Sequence, residues 1–320
     1  MSRIFVNRDH PLFNILSGQG IDCSPPEEAS AETLKIGFIN LMPTPIDPVR
    51  DFSKLFAKYA DHDIHVVDFT PTPDFITTDV ARHNYRKTHQ LDLSKLAAEN
   101  PDGLILTGFG KEDVPFESLK FWDEVTTALD IAEDRNIPVL ASCWGSHAAL
   151  YHHHGVGKTW DMTDKISGVF KQHVIERDHH LMQGVDASFT MPVSRYGRSS
   201  EDNIVHNSSL VILAGSPETG SAVVTDGRIL YLTGHPEYPE EALANEYLRD
   251  KQAGVAHLRV PENVFVNDCP NSGIQPISWA ENSGRLLGNW VQSVHGAKQD
   301  DVQRSAQILA VAAAPARNFG

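Results

Sequence analysis

The stretch Val139-Leu140-Ala141-Ser142-Cys143-Trp144-Gly145-Ser146-His147 takes an apolar run directly into a helical pattern. Such a junction predicts a strand that ends in a tight bend, with Cys143 on the bend and the N-terminus of a helix behind it. The positive end of a helix dipole favours a thiolate, and backbone N–H groups at the bend suit a developing oxyanion. Cys143 is therefore a candidate nucleophile.

A second apolar run, farther along the chain, ends in Gly234-His235-Pro236-Glu237. His235 offers a base. Glu237 follows two residues later, where a turn brings a carboxylate back to the imidazole and fixes its tautomer. Cysteine, histidine and glutamate together form a nucleophilic catalyst, although these residues alone leave its substrate open.

Strand-like and helix-like segments alternate through the first half of the chain. Strands are predicted at residues 34–42, 63–69, 103–107 and 138–142, and helices at 48–59, 78–99, 116–135 and 145–154. This alternation predicts an α/β fold, a flavodoxin-like doubly wound, mostly parallel sheet with helices on both faces. Short strands at 188–193, 210–214, 221–225 and 229–233 predict antiparallel additions in the C-terminal half, with helices at 239–252 and 279–294.

The domain organisation follows from the same segments. We expect a surface arm at residues 1–33, a single domain at 34–296, and a helical or disordered tail at 297–320. Open parallel sheets bind ligands beyond the carboxyl ends of their strands, where the loops of Gly108, Cys143 and His235 are expected to meet. The Gly108 loop lacks the glycine pattern of a phosphate-binding loop, so it suits an oxyanion hole better than a cofactor.

Composition narrows the class of protein. The chain has 320 residues, 41% of them apolar and 22% charged, and a net charge of −15. This charge argues against nucleic acid as a partner. The chain shows neither a run long enough for a membrane span nor a secretory signal. Three widely spaced cysteines argue against a disulfide framework or a zinc site and favour the cytoplasm. The run His152-His153-His154 points in several directions on a helix and predicts a solvated end, not a metal site.

Further motifs complete a pattern that extends from residue 33 to residue 295. They are Leu34-Lys35-Ile36-Gly37-Phe38-Ile39-Asn40-Leu41-Met42-Pro43, Asp102 to Gly108, Cys143-Trp144-Gly145, Lys165-Ile166-Ser167-Gly168-Val169, Ser194-Arg195-Tyr196, Thr233 to Tyr238, Glu246 to Asp250, Asn267-Asp268 and Asn289-Trp290. In this combination the chain resembles the homoserine O-acyltransferases of methionine synthesis, which have a class I glutamine-amidotransferase-like fold.

The resemblance implies a ping-pong acyl transfer from an acyl-CoA co-substrate, with no bound cofactor and often a homodimer. Cys143 would attack the thioester, and His235, oriented by Glu237, would activate the acceptor hydroxyl. The family's other site residues fall on Trp144 and Gly108 at the oxyanion hole, Lys165 by the thioester, and Ser194 and Arg249 on the acceptor side. Taken alone, Lys165 and Arg249 are indistinguishable from surface residues.

In this family the residue at position 112 is associated with the acyl group, glycine with succinyl and glutamate with acetyl. Glu112 therefore predicts acetyl-CoA, because a succinyl group would meet both bulk and like charge. The acceptor side departs from the family, since residues 69–78 lack its Glu-His pair and His147 replaces its usual glutamine. Homoserine is the predicted acceptor. Serine or another hydroxy-amino acid, succinyl-CoA, a glutamine-amidotransferase-like hydrolase and a non-catalytic binding protein remain alternatives.

Overall fold

Short apolar runs form the central strands in the structure, and amphipathic segments form the helices that cover them. The computed structural model of the protein describes residues 1–72, 80–110 and 112–313. Its strands are β1 (Ile4–Phe5), β2 (Cys23–Ser24), β3 (Leu34–Ile39), β4 (Ile64–Thr70), β5 (Leu91–Asp92), β6 (Gly103–Leu106), β7 (Val139–Ser142), β8 (Lys158–Trp160), β9 (Ile166–Val174), β10 (Ser188–Arg195), β11 (Gly197–Ser199), β12 (Val211–Ser216), β13 (Gly220–Thr225) and β14 (Ile229–Leu232). Its helices are α1 (Pro11–Ser17), α2 (Ile46–Tyr59), α3 (Val80–His89), α4 (Leu96–Glu99), α5 (Trp122–Asp134), α6 (Trp144–His154), α7 (Glu201–Val205), α8 (Ala242–Gln252) and α9 (Ala280–Ala313).

One large sheet organises the described residues. Its strand order is β10-β9-β12-β13-β14-β7-β6-β3-β4-β1-β2, with β5 beside β4. The pairs from β14 to β2 are parallel, whereas those from β10 to β14 are antiparallel. The predicted fold class, a mostly parallel α/β sheet with antiparallel additions in the C-terminal half, is confirmed. Strands β8 and β11 form a separate ribbon.

Alternate side chains of the central strands fill two cores, one on each face of the sheet. Leu140 packs with Phe52 of α2 and Trp290 of α9 on one face. Its neighbour Val139 packs with Leu129 of α5 on the other. This alternation explains why the central strands are nearly continuous apolar runs: parallel strands covered on both faces expose neither side to water.

The N-terminal residues differ from the surface arm that was expected. Strand β1 pairs with β4, and β2 extends the sheet by one further strand. Ile4, Leu12 and Leu16 are fully buried against the core on the α2 face. Their apolar side chains are few and separated by polar residues, so the sequence pattern alone does not reveal the burial.

The helix expected at 78–99 is interrupted, and its residues 78 and 79 lie outside the described residues. The remainder forms α3 and α4 with β5 between them. The Asp92 side chain accepts a hydrogen bond from the Ser94 N–H at 2.9 Å, which starts a new helical turn and ends the extended segment.

Helix α9 extends beyond the helix expected at 279–294. It continues to Ala313, and residues 314–320 of the expected tail lie outside the described residues. Gly288 allows α9 to approach α2, because a Cβ there would lie 2.6 Å from the Tyr59 carbonyl oxygen. None of the helices in the described ranges has the length and apolarity needed to cross a membrane.

Candidate active site

Cys143 occupies the bend between β7 and α6, as the sequence predicts. Its backbone has φ 52° and ψ −116°, a conformation that costs a residue with a side chain about 1–3 kcal/mol. The Cys143 N–H donates to the Leu232 carbonyl oxygen at 2.7 Å, which ties the bend to the end of β14. Gly145 lets α6 begin against β6, since a Cβ there would lie 2.6 Å from the Leu106 carbonyl oxygen. These contacts hold the strained bend in place.

His235 and Glu237 follow β14, which lies parallel to β7, so the two strand ends are adjacent. The His235 Nδ1 atom lies 2.8 Å from Glu237 Oε1, and both side chains are buried. The backbone N–H of His235 donates to the Pro192 carbonyl oxygen at 2.8 Å. The Tyr238 ring stacks on the imidazole, with 4.1 Å between the ring centroids. The carboxylate therefore fixes the imidazole from behind.

The loop after β6 closes the third side of the site. A Cβ on Gly108 would lie 3.7 Å from both Cys143 Cβ and His235 Cε1, and 3.5 Å from Met42 Sδ. Glycine thus keeps a narrow space open above the sulfur and the imidazole. The three loops singled out in the sequence meet at one point.

Charge favours the protonated form of His235. Burial lowers the pKa of His235, but the negative charges of Cys143 and Glu237 outweigh it and raise that pKa well above its ordinary value. An imidazolium beside the sulfur stabilises the thiolate, which is the nucleophilic form of cysteine. This is the arrangement that a cysteine nucleophile with a histidine partner requires.

Trp144 presents a backbone N–H at the start of α6, and its indole packs under the loop that contains Gly108. Its N–H lies in the first turn of α6, where N–H groups have no partner within the helix. Its indole is fully buried and contacts the rings of Phe109, Phe116 and Phe121 at centroid distances of 5.4, 5.4 and 6.0 Å. Phe109 belongs to the Gly108 loop, so this aromatic cluster fixes that loop to the bend.

Glu112 is bound by backbone N–H groups of the turn that follows β10. Only 9% of the residue is exposed. Its carboxylate accepts hydrogen bonds from the Tyr196 N–H at 3.1 and 3.2 Å and from the Gly197 N–H at 2.5 Å. The residue immediately before this turn, Arg195, follows Ser194, whose carbonyl oxygen lies 3.9 Å from Cys143 Sγ. Glu112 is therefore held by the turn that follows Ser194.

Lys165 and Ser194 meet at a carboxylate that the sequence did not single out as a site residue. Glu246 of α8 lies with Oε1 2.5 Å from Lys165 Nζ and accepts a hydrogen bond from Ser194 Oγ at 2.6 Å. Burial raises the pKa of Glu246, but the Lys165 charge outweighs it and lowers that pKa. Lys165 and Glu246 line a small pocket together with Tyr196 and Arg259.

Comparison with known proteins identifies the family. A family model described as Homoserine O-succinyltransferase matches residues 3–299. The chain belongs to that family. A homoserine O-acetyltransferase of Methanomassiliicoccus intestinalis is 33% identical over 298 residues, covering 90% of this chain and 93% of that protein. A homoserine O-succinyltransferase of Alteromonas mediterranea is also 33% identical, over 299 residues, covering 88% of this chain and 90% of that protein. The resemblance inferred from the sequence is confirmed.

Solved structures agree on the fold of this homoserine acyltransferase family member. A glutamine amidotransferase from Thermotoga maritima has a TM-score of 0.53 and 9% sequence identity, covering 83% of this chain and 99% of that chain. At this identity the likeness shows the fold alone. The protein is a transferase by family, built on an amidotransferase-like fold.

Arg249, which was expected on the acceptor side, lies apart from the pocket. Its side chain is 69% exposed and pairs with Asp250, with 2.7 Å between Nη2 and Oδ1. Asp250 also lies 3.8 Å from Lys165 Nζ. Arg249 thus lies at the rim of the pocket, and its ion-pair partner Asp250 lines that pocket.

His147 and the run His152-His153-His154 have structural partners. His147 is buried with Nδ1 2.6 Å from Ser199 Oγ, and burial, assisted by nearby positive charges, lowers its pKa well below the ordinary value. His152, His153 and His154 each face a different carboxylate, at Asp130, Glu133 and Asp226. Within the described residues, no group of three or more His, Cys, Asp or Glu side chains is placed to hold a metal ion.

Proposed function

We propose that the protein transfers an acetyl group from acetyl-CoA to the hydroxyl of L-homoserine through a thioester on Cys143. The buried Cys143–His235–Glu237 arrangement carries this proposal, because it provides a nucleophile, a proton carrier and an orienting carboxylate at the strand ends of a family of acyltransferases. Acyl-CoA is a co-substrate and not a resident cofactor.

The first half-reaction forms the acyl-enzyme. The Cys143 thiolate attacks the thioester carbon, and the oxyanion accepts hydrogen bonds from the N–H groups at Trp144 and the Gly108 loop. The bond between the carbonyl carbon and the CoA sulfur then breaks, and CoA leaves with the proton that His235 carried.

The second half-reaction regenerates the thiolate. The homoserine hydroxyl attacks the Cys143 thioester while His235 takes its proton, and Glu237 stabilises the imidazolium that forms. Breaking the carbon–sulfur bond releases the O-acyl product. In this scheme Ser194 lies on the acceptor side and Lys165 by the thioester, and the two side chains share the Glu246 carboxylate. Arg249 lies at the rim as the partner of the acceptor carboxylate.

Glu112 supports acetyl over succinyl as the transferred group. Its carboxylate is buried against the turn that follows Ser194 and would repel a second carboxylate. We place the reaction in the cytoplasm, where a nucleophilic thiol stays reduced. Cys23, Cys143 and Cys269 are all free thiols.

A matrix of donors and acceptors tests the proposal. Acetyl-CoA and succinyl-CoA would each be combined with homoserine and with serine, and the products identified by mass spectrometry. We expect O-acetylhomoserine as the main product of the wild type and of Cys269→Ala, whose thiol is exposed, and none from Cys143→Ala. Two results together would refute the proposal: the absence of CoA release with every acceptor tried, and hydrolysis of glutamine without any acyl-CoA.

A further inference from the structure

The Tyr238 ring lies flat against the His235 imidazole. The two ring centroids are 4.1 Å apart, and the ring planes differ by 17°. The backbone N–H of Tyr238 donates to the His235 carbonyl oxygen at 3.2 Å, which closes a short turn with the two side chains at its ends. One face of the buried imidazole is therefore covered by a phenol.

This contact restrains a motion that the hydrogen bond to Glu237 leaves free. The contact between His235 Nδ1 and Glu237 Oε1, at 2.8 Å, fixes one atom of the imidazole. A hydrogen bond at one atom tolerates tilting of the ring, because the χ2 torsion of histidine is broad. Tilting changes the direction in which the other nitrogen, Nε2, points. A ring stacked on the imidazole face opposes that tilt.

Tyr238 is held in place by a part of the chain outside the two cores of the sheet. The Trp279 indole N–H donates to the Tyr238 carbonyl oxygen at 2.8 Å. The Tyr238 side chain packs on a further apolar cluster of the described residues, which consists of Val169, Leu243, Ala244, Val264, Phe265 and Trp279. The segment between α8 and α9 thus supports the histidine of the site through one side chain.

The charges around His235 and the face of Tyr238 act in the same direction. Burial lowers the pKa of His235, and the negative charges of Cys143 and Glu237 raise it well above its ordinary value. Glu246 of α8 is the further charged group that faces the imidazole. An aromatic face attracts a cation that lies within about 6 Å of its centroid. The Tyr238 ring therefore favours the imidazolium over the neutral imidazole.

Tyr238 contributes a neutral face and not a charge. Burial raises its pKa well above the ordinary value, and the negative charges of Glu246 and Glu237 raise it further. The phenol therefore keeps its proton at neutral pH. Removing the hydroxyl leaves both the face and the charge of the site unchanged.

We propose that Tyr238 is a positioning residue for the acyl transfer: its ring holds the plane of the His235 imidazole and stabilises the imidazolium. The inference rests on the proposed function and deepens it, because His235 there gives a proton to the departing CoA sulfur and takes one from the acceptor hydroxyl. Both transfers use the ring nitrogen that Glu237 does not hold, so both depend on the direction of Nε2. Tyr238 acts through His235 and supplies an aromatic face, not a hydroxyl.

Two substitutions at position 238 separate the face from the hydroxyl. Tyr238→Phe keeps the ring and Tyr238→Leu removes it. Phe265→Leu makes the same aromatic-to-leucine change in the supporting cluster, where the Phe265 ring contacts that of Tyr247. The measurements are kcat/KM for acetyl-CoA, the pH dependence of acyl-enzyme formation, and urea unfolding.

We expect Tyr238→Phe to stay within about threefold of wild type and Tyr238→Leu to lose at least about tenfold in kcat/KM, since the contact is with a desolvated cation. Without the ring the imidazolium loses stabilisation, so the pKa of His235 falls and the basic limb of the profile moves to lower pH. Phe265→Leu should lower the free energy of unfolding and leave that limb in place. Equal losses of kcat/KM in Tyr238→Leu and Phe265→Leu, or a basic limb that Tyr238→Leu does not move, would overturn the proposal.

A fluorinated ring keeps the test decisive if Tyr238→Leu does not fold. Pentafluorophenylalanine in place of Tyr238 preserves the shape of the ring and reverses the charge distribution of its face. Its basic limb should lie at lower pH than that of Tyr238→Phe, and coincident profiles would contradict the stabilisation of the imidazolium. Failure of the wild type to transfer any acyl group would instead refute the proposed function, and this inference with it.

Discussion

Replacing Glu237 by glutamine tests how far catalysis depends on the charge behind His235. Glu237 Oε1 lies 2.8 Å from His235 Nδ1, and both side chains are buried. Glu237→Gln preserves the shape but removes the charge, and its amide N–H favours the wrong imidazole tautomer. A hydrogen bond to a charged group contributes about 1.5–3 kcal/mol. Because about 1.4 kcal/mol corresponds to tenfold in rate, we expect kcat/KM to fall roughly 10- to 150-fold.

The pH dependence of the same variant isolates the cause. Burial lowers the pKa of His235, whereas the charges of Cys143 and Glu237 raise it above the ordinary value. Removing one of those charges lowers this pKa, so the imidazolium is lost at a lower pH. The basic limb of the pH profile for acyl-enzyme formation should therefore move to lower pH. Glu240→Gln, at an exposed position in the same segment, is the control. An unchanged basic limb with kcat/KM within about threefold of wild type would refute the reasoning.

Three further predictions concern the scaffold. Gly145→Ala should destabilise the protein by about 1–3 kcal/mol and abolish acyl transfer, because its Cβ would lie 2.6 Å from the Leu106 carbonyl oxygen. Gly296→Ala is the control, since the space around Gly296 is open. Urea unfolding compares the stability of the two variants. Burial lowers the pKa of His10 from 6.5 to about 4, so the unfolded chain binds the proton at a higher pH than the folded chain does. The free energy of unfolding should therefore fall by up to about 3 kcal/mol as the pH drops from 6.5 to about 4. His10→Asn, which keeps a capping acceptor, should show a flatter profile in urea titrations at several pH values. Asp226→Asn should lower the unfolding free energy by about 1–3 kcal/mol in the same assay, because one oxygen of this carboxylate accepts from the Tyr231 hydroxyl and faces His154.

The convergence of Cys143, His235 and Glu237 was predictable because each residue is next to a backbone feature that is visible in the sequence. Cys143 and His235 follow apolar runs that form neighbouring parallel strands, β7 and β14. Parallel strands bring their carboxyl ends to one edge, so the fold class alone places these loops together. Glu237 needs only a short turn to reach its partner.

The residues that surround the triad were not predictable in the same way. Glu246 contacts Lys165 and Ser194 across many intervening residues, and nothing in its helix pattern distinguishes it from a surface carboxylate. Glu112 was predicted from the family as an acyl-selecting residue, but its backbone partners depend on the register of β9, a strand that the pattern did not indicate. Long-range contacts of polar side chains have no periodicity to reveal them.

The most direct test of the account is the chemical state of Cys143 between the two half-reactions. The wild type would be mixed with acetyl-CoA alone, quenched, digested and analysed by mass spectrometry. The account predicts one acetyl group, sensitive to hydroxylamine, on the peptide that contains Cys143, and its transfer to homoserine when the acceptor is added. An acetyl group on any other residue, or acetyl transfer that survives in Cys143→Ala, would contradict it.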